Sequence, residues 1–331
     1  MQLTLSFAAR RRSRAFRVYY TTMIERCTPC SCKTVQAGDD VQSIDVLESI
    51  RNGCPALRSV FLPDDTWPDF KAWHAEPDSV AAHRSMLLLA LERGHLARLT
   101  SPIYRYLVEG GGVRPCVRRQ YVNDLRERWM HYPEPLERHQ KSRIFTGRVT
   151  ELQCAEWLEA RGWVIAGLEA SRMGPDIEAR NASGALTAFE VKSIGSEDDD
   201  FEMILRSMAE GPSGGAVSAY SGINYLLFRV FEAAKQLAQF DGHRVAVAVI
   251  DDLTWWRFER PLENHWIDWE NPTFLGHDAA WGMFTKEQEG RYPNLKAELS
   301  SVVGGIDAAW ILRRSYGYEY HLEHELRTGG T

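Results

Sequence analysis

The stretch INYLLFRVFEAAKQLAQF, followed by RVAVAVIDD, limits the fold more than any other part of this chain. Ile223, Leu226, Leu227, Val230, Phe231, Ala234, Leu237 and Ala238 recur at helical spacing over several turns, which predicts a long helix with a broad apolar face. RVAVAVI then runs without polar alternation, as a strand does when both of its faces are covered. A helix feeding such a strand is the crossover of a parallel pair, and crossovers of this kind are right-handed. The chain is therefore expected to be α/β (α+β), a central mixed β-sheet flanked by helices.

The chemistry is concentrated upstream, in GPDIEARNASGALTAFEVKS from Gly174 to Ser193. Two strand-like runs flank a turn-rich middle in which Asn181, Ser183 and Gly184 supply the turn chemistry. Asn181-Ala182-Ser183 is formally a glycosylation sequon, but nothing suggests secretion. In the second run, alternation puts Glu190 and Lys192 on one face with Leu186 and Ala188, and Thr187, Phe189 and Val191 on the other. If the runs pair as a hairpin, Asp176 joins Glu190 and Lys192. Carboxylate oxygens are the hard ligands that Mg²⁺ prefers, usually one or two from protein with waters and phosphate completing the shell. An ammonium beside them suits orienting an attacking water or stabilising an anionic transition state. The blander account of each pair is a strand-end salt bridge.

Pro175-Asp176 followed by Glu190-Val191-Lys192 resembles the PD-(D/E)xK signature of the restriction-endonuclease-like nuclease superfamily. GRVTELQCAEWLEARGWVI is similar to that superfamily's first core helix and strand, with Glu151 where an extra metal-side carboxylate often stands, and the helix and strand after Ile223 are similar to its second core helix and next strand. The resemblance covers roughly residues 141 to 260. It implies a restriction-endonuclease-like core and a metal-dependent endonuclease that hydrolyses phosphodiester bonds of nucleic acid, DNA before RNA, with Mg²⁺ as cofactor and Mn²⁺ able to substitute. Asp176, Glu190, Lys192 and Glu151 would be catalytic, and Asp176, Glu190, Glu151 and the carbonyl of Val191 would hold the metal. Lys235 and Gln236, on the polar side of the second helix, would be auxiliary. Restriction, phage defence, repair and mobile-element processing all fall within the superfamily's range. The alternative is an inactive nuclease-fold protein that binds nucleic acid or scaffolds a larger assembly, since fold does not guarantee activity.

Before this region the text is helical. VQSIDVLESIRNG places Val41, Ile44, Leu47 and Ile50 on one face, and Asp78 is a plausible N-cap for SVAAHRSMLLLALERG. A helix from His95 to Glu109 is expected to break near Pro102 and to stop at Gly110, Gly111 and Gly112. In the next helix Val117, Tyr121, Leu125 and Trp129 share a face. The reading is an N-terminal all-helical module over 40–135, a linker at Pro133 and Pro135, and a nuclease-like domain over 141–326 with its first core helix from Gly147 to Arg161. Between Arg114 and Arg148 basic residues outnumber acids, and Arg118, Arg119, Arg126, Lys141, Arg143 and Arg148 are candidates for phosphate contact, with Tyr121 available for base stacking. A solvated helix face explains the same charges equally well.

Net charge is −6, which argues against coating nucleic acid by bulk charge. Six cysteines in 331 residues are too few for a disulfide scaffold. CTPCSC within the basic leader 1–39 lacks a fourth zinc ligand, and Cys54, Cys116 and Cys154 read as small core residues. The leader reads as disorder, a basic arm, a transit peptide, or sequence ahead of a start at Met23. The acid run Glu197–Asp200 opens an insert over 193–222 that reads as a lid or a surface excursion. The late tryptophans read as core or lid packing, and IDAAWILRR with the YGYEYHL tail as an extension of the sheet. The apolar run Met86–Leu91 is too short to span a bilayer, and a cytoplasmic protein is expected, with a protein partner or homodimer left open.

Overall fold

The computed structural model describes residues 44–74, 96–127, 135–169, 174–194, 219–255, 258–274, 290–315 and 319–327. The leader with its CTPCSC motif, the helix expected after Asp78, and most of the insert after Lys192 lie outside the described residues.

Helices α1 (Ile44–Gly53), α2 (Trp67–His74) and α3 (Leu96–Ile103) come first, with a π-helical turn at Leu57–Phe61. The break expected near Pro102 is the passage from α3 into a second π-helical turn, Tyr104–Val108. Gly110 and Gly112 follow with φ of 82° and 77°, a backbone that a side chain would resist, so the chain leaves the helix where the glycines stand. Then come α4 (Pro115–Glu127), α5 (Pro135–Glu159), β1 (Val164–Leu168), β2 (Ile177–Arg180), β3 (Leu186–Ile194), α6 (Ala219–Leu237) and β4 (His243–Asp251). The chain continues with α7 (Asp252–Trp255), α8 (Glu259–Glu263), α9 (Leu295–Val303), β5 (Ala308–Arg314) and β6 (Tyr320–Arg327).

The six strands form one mixed sheet in sequence order, β1-β2-β3-β4-β5-β6. β3, β4 and β5 are parallel neighbours, and the outer pairings are antiparallel. The α6 crossover into a buried parallel β4 is as the sequence predicts. In β4 the alternation has a further use. Val245, Val247 and Val249 face the layer of α5 and the N-terminal helices, while Ala246 and Ala248 face α6. Small side chains on that face leave room for Leu227, Phe228 and Phe231 of α6, all buried. β3 divides as alternation requires, Phe189 and Val191 to the first layer and Ala188 to the second. Phe189, Trp163 and Trp310 meet ring to ring, with Trp157 beyond them.

Two expectations differ from what is found. Pro135, expected in a linker, opens a helix, and α5 runs unbroken from it through Gly147, where the first core helix is expected to begin, to Glu159. A proline opening a helix costs nothing, since its missing N–H has no intrahelical partner there. The helix continues across Gly147 because Phe145 before it and Val149 and Leu152 after it are all buried, and Phe145 packs on Phe61. Buried side chains of the N-terminal helices and of one sheet face consequently form a single hydrophobic cluster. The second difference is Cys116, which is exposed at the start of α4, while Cys54 and Cys154 are buried as expected.

A Cβ at Gly147 would meet nothing within 4 Å. Gly147→Ala is therefore expected to raise unfolding stability by about 0.5–1 kcal/mol, read as an unchanged slope and a higher midpoint in urea.

Candidate functional site

The hairpin that carries the site is closed by its own turn. Asn181 Oδ1 accepts from the amides of Ser183 and Ala185, each at 3.0 Å, and Gly184 takes a φ of 84°. Pairing of β2 with β3 ends at Ile177 opposite Phe189. One step beyond, the Asp176 side chain replaces the missing ladder partner, its Oδ2 accepting from Val191 N at 2.8 Å. The Asp176 amide faces Glu190 Oε2 at 3.3 Å. Lys192 Nζ donates to Glu190 Oε1 at 2.7 Å and also to Gln236 Oε1 of α6. Asp176, Glu190 and Lys192 thus meet at one end of the sheet.

Glu151 reaches the same place from α5, on the stripe that also buries Leu152 and Ala155. Its Oε2 accepts from Arg148 Nη1 at 2.9 Å and from the Tyr121 hydroxyl. A further carboxylate, Glu169, completes the group. It stands just past β1 with a φ of 40°, a left-handed backbone that costs a side-chain-bearing residue about 1–2 kcal/mol. Its amide donates to Asp176 O at 2.8 Å, which ties the end of β1 to the start of β2. Glu151, Glu169 and Asp176 each offer one carboxylate oxygen, and these lie within 4.8 Å of one another.

Glu169 was missed by sequence reasoning, although a signal was present. An acid at the end of a predicted strand, a few residues before Asp176, must return to Asp176 if the two strands are antiparallel neighbours. Glu190 departs from the expected arrangement: it is 1% exposed and serves Lys192 and the Asp176 amide, while Glu169 takes the third place in the carboxylate group. Val191 meets the site through its N–H.

The expected basic strip divides. Arg119 and Arg143 are exposed and Arg118 half-buried, whereas Arg126 donates to Ser59 O at 3.0 Å. Lys141 lies on α5, its side chain outside the described residues. Arg148 is turned inward and belongs to the site itself, bonded to Glu151, Glu169 and Asp124. Tyr121 is fully buried with its hydroxyl on Glu151, so it is no stacking platform; the apolar face it shares with Val117 and Leu125 sends it to the core. Of the two auxiliary residues, Gln236 bonds Lys192, and Lys235 pairs with Glu298 at 2.8 Å. Lys192, Gln236, Lys235, Glu169 and Asp176 all line a cleft of about 980 Å³. Arg114 also lines it, donating to Glu169 O at 2.8 Å, as do Arg229 and Arg291, both paired with Glu232.

Acids outnumber cations at this point, and their titration reflects it. Burial, then the Asp176 charge, pushes the carboxyls of Glu151 and Glu190 up to about 8. Burial works against the Lys192 charge, but Glu190 and then Asp176 outweigh it and hold the amine above its usual range. Burial also raises Glu156. These directions fix a stability trend. A carboxyl with a raised value keeps its proton in the folded chain after the unfolded chain has released it. Stability from Glu151 and Glu190 is therefore complete below the unfolded value of 4.5 and is lost as pH rises towards about 8. The metal-free protein is expected to be less stable at about pH 8.5 than at about pH 5.5, by roughly 1–3 kcal/mol in urea titrations. Divalent cations, which take the deprotonated acids, are expected to reverse the trend.

Three close carboxylates short of positive charge are a donor set that fits a hard divalent cation. No family model, no curated protein and no solved structure matches the chain. Among the described residues no helix is long and apolar enough to cross a membrane.

Proposed function

We propose that the chain is a metal-dependent nuclease of the PD-(D/E)xK kind, with a restriction-endonuclease-like core, hydrolysing phosphodiester bonds of nucleic acid and DNA before RNA. One observation carries the reading: Glu151, Glu169 and Asp176 present mutually close carboxylate oxygens, and Glu169 and Asp176 line the cleft that Lys192 also lines. Those three acids would hold the cation, Mg²⁺ by preference with Mn²⁺ in substitution. The bound ion would acidify water and offset charge growing on the phosphate. Lys192 orients the attacking water and donates to the phosphoryl oxygens as they gain charge. Glu190 and Gln236 hold the amine from two sides, which fixes its direction. Arg114, Arg229 and Arg291 also line the cleft and would add positive charge along the path of flanking phosphates.

The test is incubation of the whole chain with single- and double-stranded DNA and RNA in Mg²⁺ or Mn²⁺. Cleavage abolished by chelation supports the reading. A second reading has its own observation: Arg148 already neutralises part of the acid group. A nuclease-fold protein that binds or scaffolds without cutting would keep such a network for stability. Failure to cut any of these substrates with either metal, with nucleic acid still retained, would favour it.

A further inference from the structure

Arg148 is held from two ends. Its Nη1 donates to Glu151 Oε2 at 2.9 Å and to Glu169 Oε1, while its Nε donates to Asp124 Oδ2 at 2.7 Å. Its guanidinium carbon lies 4.4 Å from the centre of the Tyr121 ring, and the hydroxyl of that ring bonds Glu151. Asp124 and Tyr121 sit on α4, Arg148 and Glu151 one turn apart on α5. One nitrogen of the fork thus serves the carboxylate group, another serves an acid outside it, and an aromatic face lies under the charge.

We infer that Arg148 is the resident counter-cation of the carboxylate site and a positioning residue for it. It holds Glu151 and Glu169 together while no divalent ion is bound, and it withdraws along Tyr121 onto Asp124 when one binds. The inference rests on the metal-site reading above. A divalent ion and the Nη1 proton cannot share the same oxygens, because like charges at that distance repel strongly in a buried site. A lone arginine would then be expelled at the full cost of an unpaired buried charge. Asp124 removes that cost, since Nε keeps its partner throughout. The planar fork makes this division possible, and a lysine point charge does not reproduce it. The arrangement also discriminates: an ion of single charge gains too little from the acids to displace a guanidinium.

The experiment is titration of the full-length chain with Mn²⁺ alone, free ion read by electron paramagnetic resonance and heat by calorimetry, with no nucleic acid present. Arg148→Gln removes the competitor, so Mn²⁺ is expected to bind tighter by about tenfold or more. Asp124→Asn removes the alternative anchor and is expected to weaken Mn²⁺ binding by about threefold to tenfold. The double variant decides between mechanisms. If Asp124 acts through Arg148, Asp124→Asn has little effect once Arg148 is glutamine; if it acts only as a distant negative charge, the two effects add. Weaker or unchanged binding in Arg148→Gln, or additivity in the double variant, overturns the inference. Should Arg148→Gln fail to fold, as judged by circular dichroism and urea melting, Asp124→Asn still decides: Mn²⁺ affinity equal to or above wild type overturns the inference. The outcomes are separable from those of the nuclease reading. Mn²⁺ binding with these shifts but no cleavage leaves the inference standing and removes the catalytic proposal, whereas no Mn²⁺ binding by wild type, Arg148→Gln or Asp124→Asn removes the inference.

Discussion

Asp176→Asn is expected to abolish both Mn²⁺ binding and cleavage while making the metal-free protein more stable near pH 8. Asparagine keeps an oxygen for the Val191 amide, so the bond that joins the start of β2 to β3 survives. The negative charge goes, and it is one of the causes that push Glu151 and Glu190 up. Relief of that repulsion is expected to return about 1 kcal/mol of stability. A purely structural acid would behave in the opposite sense, because removing it would expose its partners. Lys192→Met makes the complementary case. It keeps the stem and deletes the amine that Glu190 and Gln236 position. Cleavage is expected to fall by about 10²–10³-fold, the loss typical of one donor aimed at developing charge, with Mn²⁺ affinity retained or raised. Metal titration and single-turnover cleavage on the same preparations check both variants. The account predicts that Asp176→Asn loses both properties and Lys192→Met only the second.

The largest effect on stability is expected at Arg314. Its side chain is 4% exposed, with Nε on Asp251 Oδ1 at 2.6 Å and Nη1 on Thr150 Oγ1 at 2.8 Å. It therefore links the ends of β4 and β5 to α5 at Thr150, next to Glu151. Arg314→Ala leaves Asp251 without this cation and Thr150 without this donor, and is expected to cost about 3–5 kcal/mol. Arg314→Lys restores charge but not the fork, so it is expected to recover less than half of the loss. Urea denaturation at neutral pH measures both. If cleavage by the folded Arg314→Lys protein falls, the tie to α5 also serves to place Glu151.

Much of the sheet is legible in the sequence, because period and burial leave little choice. VAVAVI admits only a strand covered on both faces, and the helix before it only a crossover. Asp176, Glu190 and Lys192 are brought together because strand alternation and a well-formed turn leave them nowhere else to point. What local text misleads on is set by tertiary packing. Pro135 and Gly147 look like breaks, yet α5 passes through both because Phe145 and Val149 bury on either side. Arg148 looks like one more surface cation, and only the approach of α4, β1 and β2 shows that acids surround it. Glu169 is legible only in part: antiparallel pairing returns the end of β1 to Asp176, but no periodicity announces the left-handed turn at which it stands.

The central claim is that Glu151, Glu169 and Asp176, drawn from α5 and the ends of β1 and β2, together grip a divalent ion. Anomalous diffraction from crystals soaked in Mn²⁺ with a short DNA duplex addresses it most directly. The account predicts a single strong Mn²⁺ peak among those three carboxylates, with a phosphate within reach of the Lys192 amine. A map without Mn²⁺ at that place, and with Arg148 still bonded to Glu151 and Glu169, would contradict it.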